Sequence, residues 1–241
     1  MKKILLGLLL ISSVLSFGAT QRVGIEKLVT NENRDTLYLE ETKKPYSGEV
    51  ERKYPDGKLL GIATVKDGKF NGKSYEYYEN GKLKIEENYV NGKSEGVSKV
   101  FYPNGKVKYE TPYKNDKKEG VEKFYSENGI LMSEIPFKND VVIGVAKVYN
   151  AQTGKLEYEE NLVNGKRNGL SKKYYPSGKV LNEVNFKDDK EEGIMRVYYE
   201  TGKLQGEIPY KNGQVDGVVK AYDENGKLIE QAVYKNGEEV K

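Results

Sequence analysis

Cysteine, histidine and tryptophan are absent from this chain, and each absence closes off a class of chemistry. Without cysteine there are no disulfides, no thiolate metal sites and no lipobox for lipid attachment. Without histidine or cysteine, the commonest general base and the commonest covalent nucleophile are both missing. Aromatic hairpin repeats that bind choline or glucan rely on tryptophan, so its absence counts against that class. Aliphatic core formers are also sparse: hydrophobic residues make up 37% of the chain, charged residues 32%, and tyrosine (20) far outnumbers phenylalanine (6). Such a composition describes a thin, solvated sheet rather than a globule with a deep core.

One long apolar run is present, at the N-terminus. Lys2 and Lys3 precede the stretch Ile4 to Leu15, and Ser16-Phe17-Gly18-Ala19 supplies small residues for cleavage. Residues 1–19 therefore have the pattern of a secretory signal peptide, with an apolar stretch too short to span a bilayer comfortably. Cleavage after Gly18 and after Ala19 are both open. The mature chain is expected to be exported to the periplasm, the cell surface or the medium, with no transmembrane segment. Removal of Lys2 and Lys3 leaves 38 basic against 37 acidic residues, a net charge of +1. The charges are interspersed rather than blocked, so no nucleic-acid partner is expected.

The rest of the chain is dominated by repetition. Gly48, Gly72, Gly96, Gly120, Gly144, Gly169, Gly193 and Gly217 each open a copy of one unit, 24 residues long except for one copy of 25. The boundaries are 48–71, 72–95, 96–119, 120–143, 144–168, 169–192, 193–216 and 217–241, preceded by a less regular segment, 20–47, expected to cap the first copy. A fixed period of this size is the signature of a repeat architecture. The fifth residue after the opening glycine is aromatic in all copies but the first: Tyr77, Phe101, Tyr125, Tyr149, Tyr174, Tyr198 and Tyr222. A turn ending in glycine follows, then usually lysine (Lys58, Lys82, Lys106, Lys155, Lys179, Lys203, Lys227), then leucine or valine. Six residues on stands a second large apolar column: Val65, Tyr89, Tyr113, Phe137, Leu162, Phe186, Tyr210 and Tyr234. A second turn, such as Asn91-Gly92 or Asn115-Asp116, closes the copy.

Asn-Gly and Asp-Gly between β-prone runs are strong hairpin signals, because both residues tolerate the positive φ of such turns. Each copy thus reads as two antiparallel strands. The chain as a whole reads as all-β: an elongated single-layer antiparallel meander of eight hairpin repeats. It would have roughly 16 strands and a length of about 75 Å at about 4.8 Å per strand. Two registers fit each hairpin. A three-residue first turn with a glycine bulge sets the fifth-position aromatic opposite the following Leu or Val and puts Val97, Phe101, Val107 and Tyr113 on one face. A two-residue turn instead sets Lys99 opposite Glu110 and moves Tyr102 onto the Val107 face. The first is preferred because it gathers the most regular apolar columns on one side. The extra residue of the fifth copy falls in Asn150-Ala151-Gln152-Thr153-Gly154, a turn, where insertion costs little. At the C-terminus Glu238, Glu239 and Lys241 charge the last edge and oppose end-to-end pairing.

The columns Tyr77-Tyr78-Glu79-Asn80-Gly81-Lys82-Leu83 and Tyr210-Lys211-Asn212-Gly213, with the entry Pro45-Tyr46-Ser47-Gly48, resemble the bacterial variant of the MORN repeat. The resemblance covers Gly48 to the C-terminus. It implies a β-hairpin array and brings no catalytic residues. Proteins of this kind are often labelled YwqK-like antitoxins, exported arrays have been linked to the cell surface, and MORN repeats elsewhere to lipid binding or protein scaffolding.

The acidic column Glu86, Glu110, Glu134, Glu159, Glu183 and Glu207 has the residue type of a glycosidase. A group repeated in six copies is nevertheless a feature of the repeat, whereas an active site is normally unique. The column reads as solvent-facing and balanced by lysines across the strands. No metal site and no cofactor are expected. The lysine column reads as turn solubility and protection against edge pairing. The aromatic columns are the candidate recognition surface: Tyr77, Phe101, Tyr125, Tyr149, Tyr174, Tyr198 and Tyr222, with Tyr89, Tyr113, Phe137, Phe186, Tyr210 and Tyr234. A single-layer sheet has an apolar face to cover, and rigid amphipathic rings suit protein or sugar recognition. Cross-strand packing of the same rings is the competing reading. The expected function is a non-enzymatic, exported interaction or adhesion surface for a protein or envelope partner. An antitoxin or immunity protein is the alternative. Protein is the favoured partner, with glycan and lipid headgroup also open, and so is a homodimer through the apolar face.

Overall fold

A computed structural model describes residues 21–240. Residues 1–20, with the expected signal peptide 1–19, and the terminal Lys241 lie outside the described residues. Twenty-two strands form one continuous sheet, and two more, Leu28–Thr30 and Leu37–Leu39, form a small separate hairpin. Among the described residues there is no α-helix, only a single 3₁₀ turn at Ile25–Lys27. Each strand of the array pairs antiparallel with its neighbours in the chain, from Gly48–Lys53 to Glu238–Val240. The elongated meander is thus what the turn signals predict, with one departure. Arg22–Gly24 of the N-terminal segment pairs parallel with Gly48–Lys53, placing Val23 beside Val50.

The strand number exceeds 16 because Arg22–Gly24 and Glu238–Val240 join the sheet and because the opening glycine breaks a strand in four copies. In four copies a two-residue strand precedes it, as in Lys93–Ser94 before Gly96–Phe101 and Lys117–Lys118 before Gly120–Tyr125. In Lys69–Tyr77, Lys166–Tyr174 and Lys190–Tyr198 the strand runs through, with a register shift at the same place. The opening glycine is therefore a bulge, and its geometry explains its recurrence. Gly120 has φ 118°, and a Cβ there would sit 3.0 Å from Pro112 Cγ; at Gly217 the values are 131° and 2.9 Å from Pro209 Cγ. Proline is tolerated at 112, 136 and 209 because it lies beside this bulge, where its carbonyl alone is used: the N–H groups of Glu119, Ile143 and Asp216 donate to it.

The two turns of each copy differ in kind. The second is a two-residue turn with positive φ at both positions, 50° at Asn115 and 69° at Asp116. This is the type I′ geometry that matches strand twist. Its tip docks on the preceding copy: the Asp116 N–H donates to Ser94 O at 3.1 Å, and the Ser94 N–H donates to Asp116 Oδ1 at 2.7 Å. Where glycine replaces aspartate, as at Gly92, the backbone bond to Phe70 O (2.7 Å) remains. The first turn has a three-residue loop. Gly105 N–H donates to Tyr102 O and Tyr102 N–H to Lys106 O, both at 2.8 Å. The extra residue of the fifth copy is absorbed here: Gly154 N–H reaches back to Asn150 O at 2.8 Å, and Asn150 Oδ1 accepts from Gln152 and Thr153.

The two expected registers both occur, in different parts of one hairpin. The three-residue turn sets Phe101 opposite Val107. A bulge at Lys108 then shifts the register, so that Tyr109 faces Val100 and Lys99 faces Glu110. This corrects the expected stripe. Tyr113 pairs with Gly96, five residues from Phe101 along a regular strand, and so points to the opposite face from Val97, Phe101 and Val107. The buried residues Val50, Val65, Thr111, Ala146, Ser171, Val184 and Phe186 all lie on the Tyr113 side, here termed the covered face. No side chain among the described residues is completely buried. The densest packing lies at the N-terminal end, where Val23, Tyr46, Val50 and Val65 meet Leu28, Leu37, Leu39 and Phe70. Tyr46 locks this cap by donating to Gln21 O (2.7 Å) and Glu49 O (3.0 Å).

Two glycines separate backbone strain from crowding. Gly105→Ala places a methyl in open space at φ 90° and should cost about 1–2 kcal/mol, the price of the left-handed conformation alone. Gly217→Ala adds the clash with Pro209 and should cost about 1 kcal/mol more, an excess that Pro209→Ala removes in the double variant. Denaturant unfolding measures both, and equal losses at the two sites would show that the Pro209 contact is irrelevant.

Candidate functional site

The face opposite the covered one, the open face, carries three parallel rows. The middle row is charged. Strand by strand it reads Glu86, Lys99, Glu110, Lys123, Glu134, Lys147, Glu159, Lys172, Glu183, Arg196, Glu207 and Lys220, each paired directly with the next. Tyr75 and Gln231 flank it, so the row begins with an acid, ends with a base and alternates throughout. The acidic column is thus balanced across the strands by basic residues, as its repetition suggests. Its carboxylates are only partly solvent-facing, and Glu110, Glu134 and Glu207 side chains are 22–26% exposed. The ion pairs are loose, from 3.1 Å for Lys99–Glu110 to 3.9 Å for Lys123–Glu134, and exposed pairs of this kind add little to stability.

The carboxylates have a second partner. Tyr125, Tyr149, Tyr174, Tyr198 and Tyr222 each donate their hydroxyl to the acid of the preceding copy, at Glu110 (3.1 Å), Glu134 (2.7 Å), Glu159 (2.6 Å), Glu183 (2.8 Å) and Glu207 (3.3 Å). This row ties copy to copy. It starts at Tyr125 because Phe101 has no hydroxyl, and the residue at the acidic position before Tyr77 is Ile62. Burial, followed by the bond to Glu134, pushes Tyr149 up to about 12. Burial and the equivalent carboxylates raise Tyr125, Tyr174 and Tyr198. At Glu110 burial works upward, but hydrogen bonds from Lys99 and Tyr125 outweigh it and hold the carboxyl below its ordinary range.

The third row is aliphatic and was not singled out from the sequence. Val97, Val121, Val145, Ile194 and Val218, each directly after an opening glycine, are 40–47% exposed on the open face. Pro112, Pro136 and Pro209 stand opposite Val97, Val121 and Ile194 and extend the stripe. The signal was a valine, leucine or isoleucine after the opening glycine in six copies. Val97 stood in the expected stripe, and the register shows the same position recurring along the open side.

The candidate aromatic residues are accordingly divided. Tyr77, Phe101, Tyr125, Tyr149, Tyr174, Tyr198 and Tyr222 lie half-buried on the open face. Tyr89, Tyr113, Phe137, Phe186, Tyr210 and Tyr234 lie on the covered face, each opposite an opening glycine. Cations roof some of the latter: Arg167 stands 4.1 Å from the Phe186 centroid and Lys118 4.6 Å from that of Phe137. A further column escaped notice in the sequence. Tyr54, Tyr78, Tyr102, Tyr175 and Tyr199 donate to the backbone carbonyl of the fifth-position aromatic in the next copy, at 2.6–2.8 Å. Ser126, Asn150 and Asp223 interrupt that column, which hid it.

Between the first turns of the last three copies the open face forms two equivalent shallow clefts. One is lined by Lys179, Val180, Glu183, Tyr198, Thr201 and Gly202 and holds about 460 Å³. Its counterpart 24 residues on is lined by Lys203, Leu204, Glu207, Tyr222, Asn225 and Gly226 and holds about 530 Å³. Each offers an apolar floor, a tyrosine–carboxylate pair and a lysine at the rim. No cluster of metal-ligating side chains occurs among the described residues, and no helix there is long and apolar enough to cross a membrane.

Comparison with protein families matches residues 46–67, 70–91, 94–115, 118–139, 167–188, 191–212 and 215–236 to the MORN repeat variant. The copy left out is the one carrying the extra turn residue, yet its strands Gly144–Tyr149 and Leu156–Val163 pair like the others. Comparison with curated proteins gives no match. Among solved structures, the crystal structure of a GtfA/B complex bound to UDP and GlcNAc aligns at 13% identity. The alignment covers 58% of this chain and 27% of that one with a TM-score of 0.25, too slight a likeness to carry an argument.

The tyrosine shifts make stability depend on pH in the alkaline range. Tyr149 and Tyr89 ionise near pH 10 when unfolded and at about 12 when folded, Tyr89 through burial and its bond to Glu87. The folded state holds these protons more tightly, so their contribution is fully present below about pH 10 and is lost as pH rises through about 12. Denaturation midpoints should fall across that window, and Tyr149→Phe should flatten part of the fall. Tyrosinate absorbance rising to completion near pH 10 with the sheet intact would refute it.

Proposed function

Because this chain belongs to the MORN repeat variant family, a repeat architecture suited to binding interactions, we propose that it is an exported, non-enzymatic interaction module. Its partner is a protein, met as a component of the cell envelope or at the cell surface, and the contact runs along the open face. The recurrence of one cleft at a 24-residue interval carries this reading. An extended partner laid along the array meets the same tyrosine, carboxylate and lysine again and again. Weak contacts then add into affinity through repetition rather than through one deep pocket. Amphipathic rings on a rigid backbone lose little entropy on binding, and the exposed valines add apolar area.

Non-enzymatic action follows from the same repetition. The carboxylates that would serve as acid and base recur in six copies, and each is engaged by a tyrosine or a cation of the fold. Export rests on the basic and apolar pattern of residues 1–19.

Two measurements test the proposal. In the native organism, whole-cell protease shaving with sequencing of the mature N-terminus should release an array that starts near Ala19 or Thr20. An unprocessed cytosolic chain would sink the export reading. In capture from an envelope extract, replacing Tyr174, Tyr198 and Tyr222 together by Ser should abolish retention of the partner. The corresponding Phe variants, which keep the rings, should retain most of it. Unchanged capture by the Ser variant, with the sheet signal intact in circular dichroism, would place recognition elsewhere.

A further inference from the structure

The charged row of the open face has a property that no single repeat possesses. It has twelve members, alternates in sign without interruption, begins with Glu86 and ends with Lys220. A row of alternating charges with an even number of members becomes its own opposite when read backwards. We propose that the open face pairs with a second copy of this chain, about a two-fold axis parallel to the strands and passing between Lys147 and Glu159. The inference rests on the reading of this face as the interaction surface and names one partner for it.

The reversal sets Glu86 against Lys220 of the second copy, Lys99 against Glu207, and Lys147 against Glu159, so all twelve groups meet an opposite charge. An axis in this direction also keeps each row against itself. Within the stripe Val97 meets Pro209 of the second copy and Ile194 meets Pro112, while Val121 and Val145 meet Asn185 and Asn161; in the outer row Tyr125 meets Val180 and Tyr149 meets Leu156. The alternative two-fold axis, along the row, would set every charge against its own image and is opposed by repulsion. The stripe supplies the apolar area: Val97, Val121, Val145, Ile194 and Val218 are 40–47% exposed in a single copy. The charged row supplies register and orientation. Twelve strands at about 4.8 Å, and the roughly 13 Å from stripe to tyrosines, give a patch of roughly 750 Å² per copy. The total of about 1,500 Å² is that of a standard stable interface. Both copies carry the same strand twist, so the two ribbons wind around each other as they pair.

Charge reversal at the axis tests this with a built-in control. Lys147→Glu alone places Glu against Glu159 of the second copy at both symmetric contacts, and Glu159→Lys alone places Lys against Lys147. Each variant alone should self-associate at least about tenfold more weakly than the wild type in sedimentation equilibrium. Mixed together, the two restore opposite charges at both contacts and should form a one-to-one heterodimer, visible by native mass spectrometry. Loss of fold cannot produce that rescue. If either variant loses its sheet signal, Lys172→Glu with Glu134→Lys is the equivalent pair, since these positions also face each other across the axis. A wild type that stays monomeric at its highest soluble concentration would overturn the proposal. A dimer indifferent to the reversals, or reversed copies that stay monomeric when mixed, would do so equally. Capture of an envelope partner is scored separately on the wild type, below the concentration at which it self-associates, so a monomeric wild type leaves the function reading untouched.

Discussion

A sheet one layer thick has no second layer to shield it, and every feature of this molecule answers that constraint. Each copy must find its hydrogen bonds and its cover in the copy beside it. The strands do so through their ladder, and the second turns through bonds such as that from the Asp116 N–H to Ser94 O. Two tyrosine columns act the same way, one through Tyr125 to Glu110 and the other through Tyr102 to the carbonyl of Tyr125. The turn and tyrosine bonds all join adjacent copies. A strict period is therefore the condition under which they can form at all, and the one irregular copy keeps it by confining its extra residue to a turn.

Division of labour between the two faces follows from the bulges. At the opening glycine the strand breaks its alternation, and at Lys108 and its equivalents the facing strand does so again. The large apolar column after the first turn is thereby sent to the covered side, where Phe186 is 7% exposed beneath Arg167. The fifth-position tyrosines stay on the open side beside the charged row. Without the second bulge, lysines and glutamates would not align, and the tyrosine hydroxyls would not reach the carboxylates.

The open face is consequently both ordered and mild. Its charges cancel along the row, its rings are half-buried, and its valines are spaced at one per copy. Such a surface exerts little long-range attraction, and its charge changes sign from each strand to the next. The shallow clefts add a second level of repetition at the rim, where lysine and tyrosine stand together.

The sequence alone determined the repeat length, the two turns of each copy, the hairpin class and the place of the insertion. These depend on local chemistry: Asn and Asp tolerate positive φ, glycine alone tolerates the bulge, and β-branched and aromatic runs pair as strands. The choice of face was beyond its reach. A shift of one residue moves every side chain to the other side, and the sequence carried two registers that seemed exclusive. Only the three-dimensional pairing showed that each hairpin uses both, with the three-residue turn near the tip and Lys99 opposite Glu110 beyond the bulge. The valine stripe, the split of the aromatic residues into two ladders and the unbroken charged row all followed from that. They are relations between strands, and a strand acquires them only when its neighbour is in place.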